Sequence, residues 1–175
     1  MGTIITGTGS YIPNQIKSNT HFMSNEFYAD NNHPLTDKNE VIIKKFKDIT
    51  GIEERRYISQ ELSSSDAAAI AARKAIDDAK IDPETIDQII VAHNFGNLAH
   101  DSNQSDMLPS LASKVKHLLA IDNPNCVAYD VIFGCPGWVQ GMIQADIFIK
   151  AGMAQRCLII GSETLMDSRI YFQSG

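Results

Sequence analysis

"NCVAYDVIFGCPGWVQGMIQADIFIKAG", residues 125–152, changes its periodicity once, and that change decides the fold. The first part, "CVAYDVIF", is a continuous run rich in apolar and β-branched residues, as a buried strand requires. The second part, "GWVQGMIQADIFIKAG", reads as an amphipathic helix closed by Gly152 at the C′ position. Gly134-Cys135-Pro136-Gly137 joins them in a tight turn.

The same pattern extends to both sides. "DQIIVAH" (87–93) predicts a second buried strand, "PSLASKVKHLLA" (109–120) a helix, and "QRCLIIG" (155–161) a third strand. Strands alternating with helices imply a parallel sheet with right-handed crossovers, so the fold class is α/β, a mostly parallel central sheet flanked by helices. In such sheets function gathers at the carboxyl ends of the strands.

Towards the N-terminus, "TIITGTGSYIP" (3–13) predicts the first strand, and residues 18–28 predict a helix behind a Ser cap. "GTGSYI" imitates a dinucleotide loop, but Ile12 stands at its sixth position and Pro13 follows, so no helix N-terminus is offered to a pyrophosphate. "ADNNHPLTDKN" (29–39) reads as a flexible surface insertion. "EVIIKKFKDITG" predicts a helix with Val41, Ile42, Phe46 and Ile49 on one face and Gly51 as its stop. Ser65 and Asp66 are expected to cap the alanine-rich helix "AAAIAARKAIDDAK", and Asp82-Pro83-Glu84 marks a short helix start. A long polar loop is expected from Asn94 to Met107.

Composition narrows the function classes. The 175 residues are 43% apolar and 21% charged, with a formal net charge of −6, as in a soluble globular protein. The acidic balance excludes nucleic acid or an anionic membrane surface as the partner favoured by the overall field. No stretch reaches the roughly 18–20 apolar residues of a membrane span, and the N-terminus lacks a signal pattern, so a cytoplasmic location is expected. Cys126, Cys135 and Cys157 lack metal-ligand spacing and are odd in number; neither a zinc site nor a disulfide framework is expected. The sequon Asn103-Gln104-Ser105 carries little weight without a secretory signal.

Cys135 is the candidate catalytic residue. It follows a strand and precedes a helix, where unpaired N–H groups and the positive end of the helix dipole favour a thiolate. A thiolate attacks a carbonyl and also leaves well when it carries an acyl group, which is what transfer through a thioester requires. Gly134 and Gly137 permit a tight turn and close substrate approach, and Pro136 fixes φ in the first turn of the helix. Cys126 and Cys157, inside apolar strands, read as small hydrophobes.

These residues carry a resemblance. "AYDVIFGCPGWVQGM" is similar to the nucleophile segment of β-ketoacyl-acyl carrier protein synthase III, a condensing-enzyme family of the thiolase superfamily. "GTGSYIP", "TGIEERRYI" (50–58), "SDAAAIAARKAIDDAKIDPETIDQIIVA" (65–92) and "KAGMAQRCLIIGSETL" (150–165) agree in order and spacing. The resemblance implies a thiolase-like fold of two similar halves, with residues 1–165 as the first half and 166–175 as a truncated or tag-derived tail. "IYFQSG" there is close to a tag-protease cleavage sequence, or is a remnant of a family strand.

By the same resemblance, Cys135 takes an acyl group from acyl-CoA or acyl carrier protein, with its own N–H in the oxyanion hole. A malonyl group on acyl carrier protein then loses CO₂, and the carbanion attacks the acyl thioester. No cofactor or metal is implied, and the protein is expected to be a homodimer. The His and Asn that assist decarboxylation lie in the family's second half, and no His or Asn of this chain matches their motif. The chain alone is therefore expected not to complete the condensation.

Two features bear on the substrate. Many family members hold the CoA adenine with a Trp and an Arg shortly before "TGI"; this chain has "KKFKDITGI", so a carrier-protein-bound donor becomes an alternative. Leu108, in "DMLPSL", aligns with a residue that reaches across the family's dimer into the neighbouring acyl pocket, where its size would tune acyl length.

Other residues have blander readings. His93 ends a strand and could pair with Cys135, though local hydrogen bonding is the commoner role. His117, beside Lys114 and Lys116, is expected to be solvated, and Glu163 to be a loop or interface carboxylate more readily than a buried one. Two alternatives stand beside the condensing enzyme: a non-catalytic half-domain that pairs with another chain, and a cysteine-dependent thioester hydrolase using His93.

Overall fold

The computed structural model describes residues 2–29, 32–98 and 105–164. These form two compact units: residues 12–59, and residues 2–11 together with 60–164. Among the described residues no helix is long and apolar enough to cross a membrane.

In the smaller unit, β1 (Gln15–Ser18) pairs antiparallel with β2 (Glu54–Tyr57), with Gln15 opposite Tyr57 and Ser18 opposite Glu54. The helix expected over 18–28 is only a 3₁₀ turn, Asn19–Phe22. Its groups are bonded elsewhere: Asn19 N–H donates to Glu53 O, Ser18 Oγ pairs with Thr20 Oγ1, and Asn39 Nδ2 donates to the carbonyls of Met23 and Asn25. Those carbonyls meet a side chain in place of a helical ladder.

The segment read as a flexible insertion is tied into a tight reversal in its described residues. Leu35 N–H donates to Phe27 O at 2.7 Å, and Tyr28 bridges Pro34. α1 (Asn39–Thr50) follows and stops at Gly51 in the left-handed conformation, as expected. Its buried residues are Ile42 and Ile43, whereas Val41 and Ile49 are exposed, so the expected face is turned. Phe46 sets the orientation through edge contacts with Phe22 and Phe27, with the Arg55 guanidinium 5.4 Å from the rings of Phe22 and Phe46.

The larger unit is built on α2 (Ser64–Ala79), β3 (Gln88–His93), the short antiparallel pair β4 (Asn97–Leu98) and β5 (Ser105–Asp106), α3 (Leu111–Leu118), β6 (Val127–Ile132), α4 (Gly137–Lys150) and β7 (Cys157–Gly161). β3 lies between β6 and β7 and is parallel to both, with Val91 opposite Asp130 and Ile160. The α/β reading of residues 87–161 holds.

Period-2 alternation divides this sheet into two faces. Ile89, Val91 and Ile160 join Ala68, Ala72 and Ile76 of α2 and Leu111, Ala112 and Val115 of α3 in one buried cluster. Ile90 and Ile159 point the other way, onto Gly141 of α4. β6 is less buried than expected because, among the described residues, β3 alone flanks it; Val127 and Ile132 are exposed.

Helix starts follow their capping chemistry. Ser63, two residues before the expected cap, begins α2 with a reciprocal capping box: its Oγ accepts from Asp66 N–H, and Asp66 Oδ2 accepts from Ser63 N–H at 2.8 Å. Asp82 caps a 3₁₀ turn at Pro83–Thr85 as expected, and Ser110 caps α3.

The expected first strand is absent: residues 3–13 pair with no strand among the described residues. Residues 7–10 lie along α2 instead. A Cβ at Gly7 would stand 2.4 Å from Ala75 O, and one at Gly9 2.2 Å from Ala71 O, so only glycine permits this approach. Thr8 N–H donates to Asp78 Oδ2 and Ser10 O accepts from Lys74 Nζ, which gives the segment helix side chains as partners where a ladder was expected.

Candidate active site

Cys135 sits where the sheet geometry concentrates chemistry. β6 ends at Ile132, the chain turns through Phe133 and Gly134, and α4 begins at Gly137 with Pro136 as its N-cap, one residue ahead of the expected first-turn position. The Cys135 side chain is exposed. Gly134 has φ +71°, a left-handed conformation that disfavours any side chain. A Cβ at Gly137 would lie 3.2 Å from Ala92 Cβ, so glycine lets α4 start close against the end of β3.

The ends of β3 and β7 supply the surroundings. Asn94, directly after β3, donates its N–H to Glu163 Oε2 at 2.6 Å, and its Oδ1 is among the atoms nearest the open side of Gly134. Glu163 is exposed, in agreement with the loop-carboxylate reading. Ser162 N–H donates to Ala92 O, and Trp138, in the first turn of α4, covers Gly161. The turn carrying the thiol is thus bordered by all three parallel strand ends.

His93 does not have the surroundings of a base for Cys135. It is buried; its Nδ1 accepts the Gly96 N–H at 2.9 Å, and its Nε2 lies 3.0 Å from Asp130 Oδ2. That second separation is an ion-pair distance, although the Nε2 direction does not meet regular hydrogen-bond geometry. The local-bonding reading is the one observed. His117 is exposed, as expected.

Asp130 was not singled out in the sequence. Its Oδ2 and Oδ1 accept the N–H groups of Leu111 and Ala112 at 2.7 and 2.8 Å, the first turn of α3. The available signal was an acid inside the otherwise apolar run "VAYDVI", since a carboxylate among such residues needs donors. Leu108, two residues ahead of the Ser110 cap, is 85% exposed and precedes a cis peptide bond to Pro109.

The other cysteines differ from Cys135. Cys126 is buried just before β6, and burial pushes its thiol pKa up. Cys157, opening β7, is pushed up to about 11, first by burial and then by the Asp87 carboxylate. Both retain the structural role expected of them. Among the described residues no group of three or more His, Cys, Asp or Glu side chains is placed to hold a metal ion.

An exposed cysteine on a strand-to-helix turn stands at the carboxyl end of a parallel sheet, and comparison with solved structures identifies the fold as thiolase-like. The family model for 3-oxoacyl-[acyl-carrier-protein (ACP)] synthase III matches residues 129–170. Over 161 residues the chain is 37% identical to a β-ketoacyl-[acyl-carrier-protein] synthase III of Vibrio vulnificus and 35% identical to one of Caldanaerobacter subterraneus. Each alignment takes in 92% of this chain but only 44% and 42% of those relatives. The crystal structure of 3-oxoacyl-[acyl-carrier-protein] synthase III from Aquifex aeolicus superposes with a TM-score of 0.72 at 30% identity, covering 94% of this chain and 46% of that one. In sequence and fold, this chain matches the N-terminal portion of the β-ketoacyl-acyl carrier protein synthase III family, and it spans less than half the length of those relatives.

Proposed function

We propose that the protein to which this chain belongs is an acyltransferase of the synthase III type, acting in the cytoplasm in fatty acid or related lipid or polyketide biosynthesis. The observation that carries the proposal is the placement of Cys135: an exposed thiol, three residues past the end of β6, on a turn bordered by the ends of β3 and β7.

In the proposed reaction, Cys135 Sγ attacks the carbonyl of an acyl-CoA or acyl carrier protein thioester. The C–S bond to the donor breaks, the free donor thiol is released, and the acyl group stays on Sγ. The turn places the attacking atom ahead of a helix start, whose N–H groups suit the oxygen anion of the tetrahedral intermediate. Condensation with malonyl-acyl carrier protein follows in the whole protein, where the family's His and Asn supply the decarboxylation step. No cofactor takes part in this scheme.

Leu108 is proposed as an acyl-pocket residue acting across a homodimer, and its exposure in the single chain is compatible with that role. A hydrolase built on His93 is disfavoured by that residue's burial between Gly96 and Asp130. An association role has its own support in the exposed Trp138, Val139, Ile143 and Ile147 of α4.

The test is the intact mass after incubation with short acyl-CoAs and with acyl carrier protein thioesters, beside a Cys135→Ser control. An acyl-sized gain in the wild type that the control lacks supports the proposal, and the donor that works names the substrate. An equal gain in Cys135→Ser removes Cys135 as the acceptor. If the full-length protein gains no acyl mass from any donor, the association reading takes its place.

A further inference from the structure

Among the described residues of the larger unit, buried His93 and the largely buried Asp130 form an ionisable pair that the proposed acyl transfer leaves unused. Both side chains lie on the α2 and α3 face of the sheet, since His93 shares the alternation of Ile89 and Val91, and Asp130 lies opposite Val91 in the register. The imidazole is anchored at Nδ1 and approaches a carboxylate at Nε2. Nδ1 accepts the Gly96 N–H at 2.9 Å, and Nε2 lies 3.0 Å from Asp130 Oδ2, an ion-pair separation outside regular hydrogen-bond geometry. The same carboxylate accepts the N–H groups of both Leu111 and Ala112.

One carboxylate therefore joins two pieces of chain that have separate roles in the proposed reaction. On the strand side, Asp130 lies five residues before Cys135; on the helix side, the amides it holds lie three and four residues after Leu108. His93 ties both to the end of β3, directly before Asn94 at the nucleophile turn. We infer that His93 and Asp130 are positioning residues that set the entry turn of α3, and with it Leu108, and so determine which acyl lengths the thiol of the partner subunit accepts across the proposed homodimer. This rests on the reading of Cys135 as acyl acceptor.

Two arms test it in the full-length protein. The first measures kcat/KM for acylation by butyryl-CoA and octanoyl-CoA in wild type, His93→Leu and His93→Gln. Leucine fills the space without a donor, while glutamine returns an N–H near the Nε2 position. The ratio of the two donors is expected to shift about fivefold or more in His93→Leu and to return to within about twofold of wild type in His93→Gln, on the scale of one misplaced methylene in an acyl pocket. A structural role alone would lower both donors together and leave the ratio unmoved, and that result overturns the inference.

The second arm reads hydrogen exchange at the Leu111 and Ala112 amides with no acyl donor present. About tenfold loss of protection is expected in His93→Leu and none in His93→Gln. Unchanged protection in His93→Leu overturns the clamp whatever the acylation result, whereas acylation that survives Cys135→Ser overturns the reading of the nucleophile and leaves the exchange result standing. If His93→Leu does not fold, Asp130→Asn replaces it in both arms, since the amide can serve only one of the two α3 donors as acceptor.

Discussion

The two faces of the parallel sheet in the larger unit are covered differently. On one, α2 and α3 close over Ile89, Val91 and Ile160, and small residues of α2 such as Ala68 and Ala72 let the layers approach. On the other, α4 is the one helix among the described residues that covers Ile90 and Ile159, through Gly141, while its remaining faces leave Trp138, Val139, Ile143 and Ile147 exposed. The candidate nucleophile stands at the start of that second helix. Stability is thus concentrated on the face away from the thiol, and the side that carries the chemistry has apolar surface still open to a partner.

The largest test of this difference is Ile89→Ala. Ile89 is fully buried in the cluster between the sheet, α2 and α3, and truncation there removes transfer free energy and leaves a cavity. A loss of about 3 kcal/mol is expected, read as a lower urea midpoint at unchanged slope. A loss below about 1 kcal/mol would show that this face is not the one that holds the unit together.

The thiols give a second contrast. With its pKa pushed up from 9.0 to about 11, Cys157 remains a protonated thiol at pH 8, and Cys126 is buried with its thiol pKa also raised. Iodoacetamide at pH 8 is therefore expected to modify Cys135 first, with Cys157 slower by about tenfold or more, as read by peptide mass against time. The sign for stability follows from the same shift. Because the folded pKa of Cys157 is above its ordinary value, the fold holds that proton more tightly; its contribution is present below about pH 9 and is lost as pH rises towards about 11. Equal labelling of Cys157 and Cys135 at pH 8 would remove the distinction between structural and reactive cysteine.

How much of this was legible in the sequence depended on whether an element's partners were local. The strands at 88–93 and 157–161, the helix at 137–150 and its stop at Gly152 follow from apolar runs, periodicity and a glycine, all read within a short window. The position of Cys135 was legible for the same reason: the turn, the helix start and the thiol are contiguous. Residues 3–13 were misread because β-branched composition says nothing about α2, whose backbone receives Gly7 and Gly9 from some seventy residues away. The 18–28 segment failed similarly, its carbonyls being claimed by the distant Asn39. Asp130 shows the limit for the site, since an acid in an apolar strand signals a need for donors without saying that α3 supplies two and His93 a third neighbour.

The smallest expected effect sharpens the comparison most. Ile143, on α4, has the same side chain as Ile89 but is 48% exposed, so its replacement by alanine creates no sealed cavity and adds a slightly better helix former. In the isolated chain Ile143→Ala is expected to change the unfolding free energy by less than about 0.5 kcal/mol. If the α4 face is covered in the full-length protein, the same substitution there should cost about 1 kcal/mol or more, because the methylene groups it removes would then be leaving a buried interface. A small change in both settings would mean that this face stays open to water, and its apolar residues would then need a partner outside the protein. The difference between the two measurements thus reports what covers the nucleophile helix, which neither value alone can do.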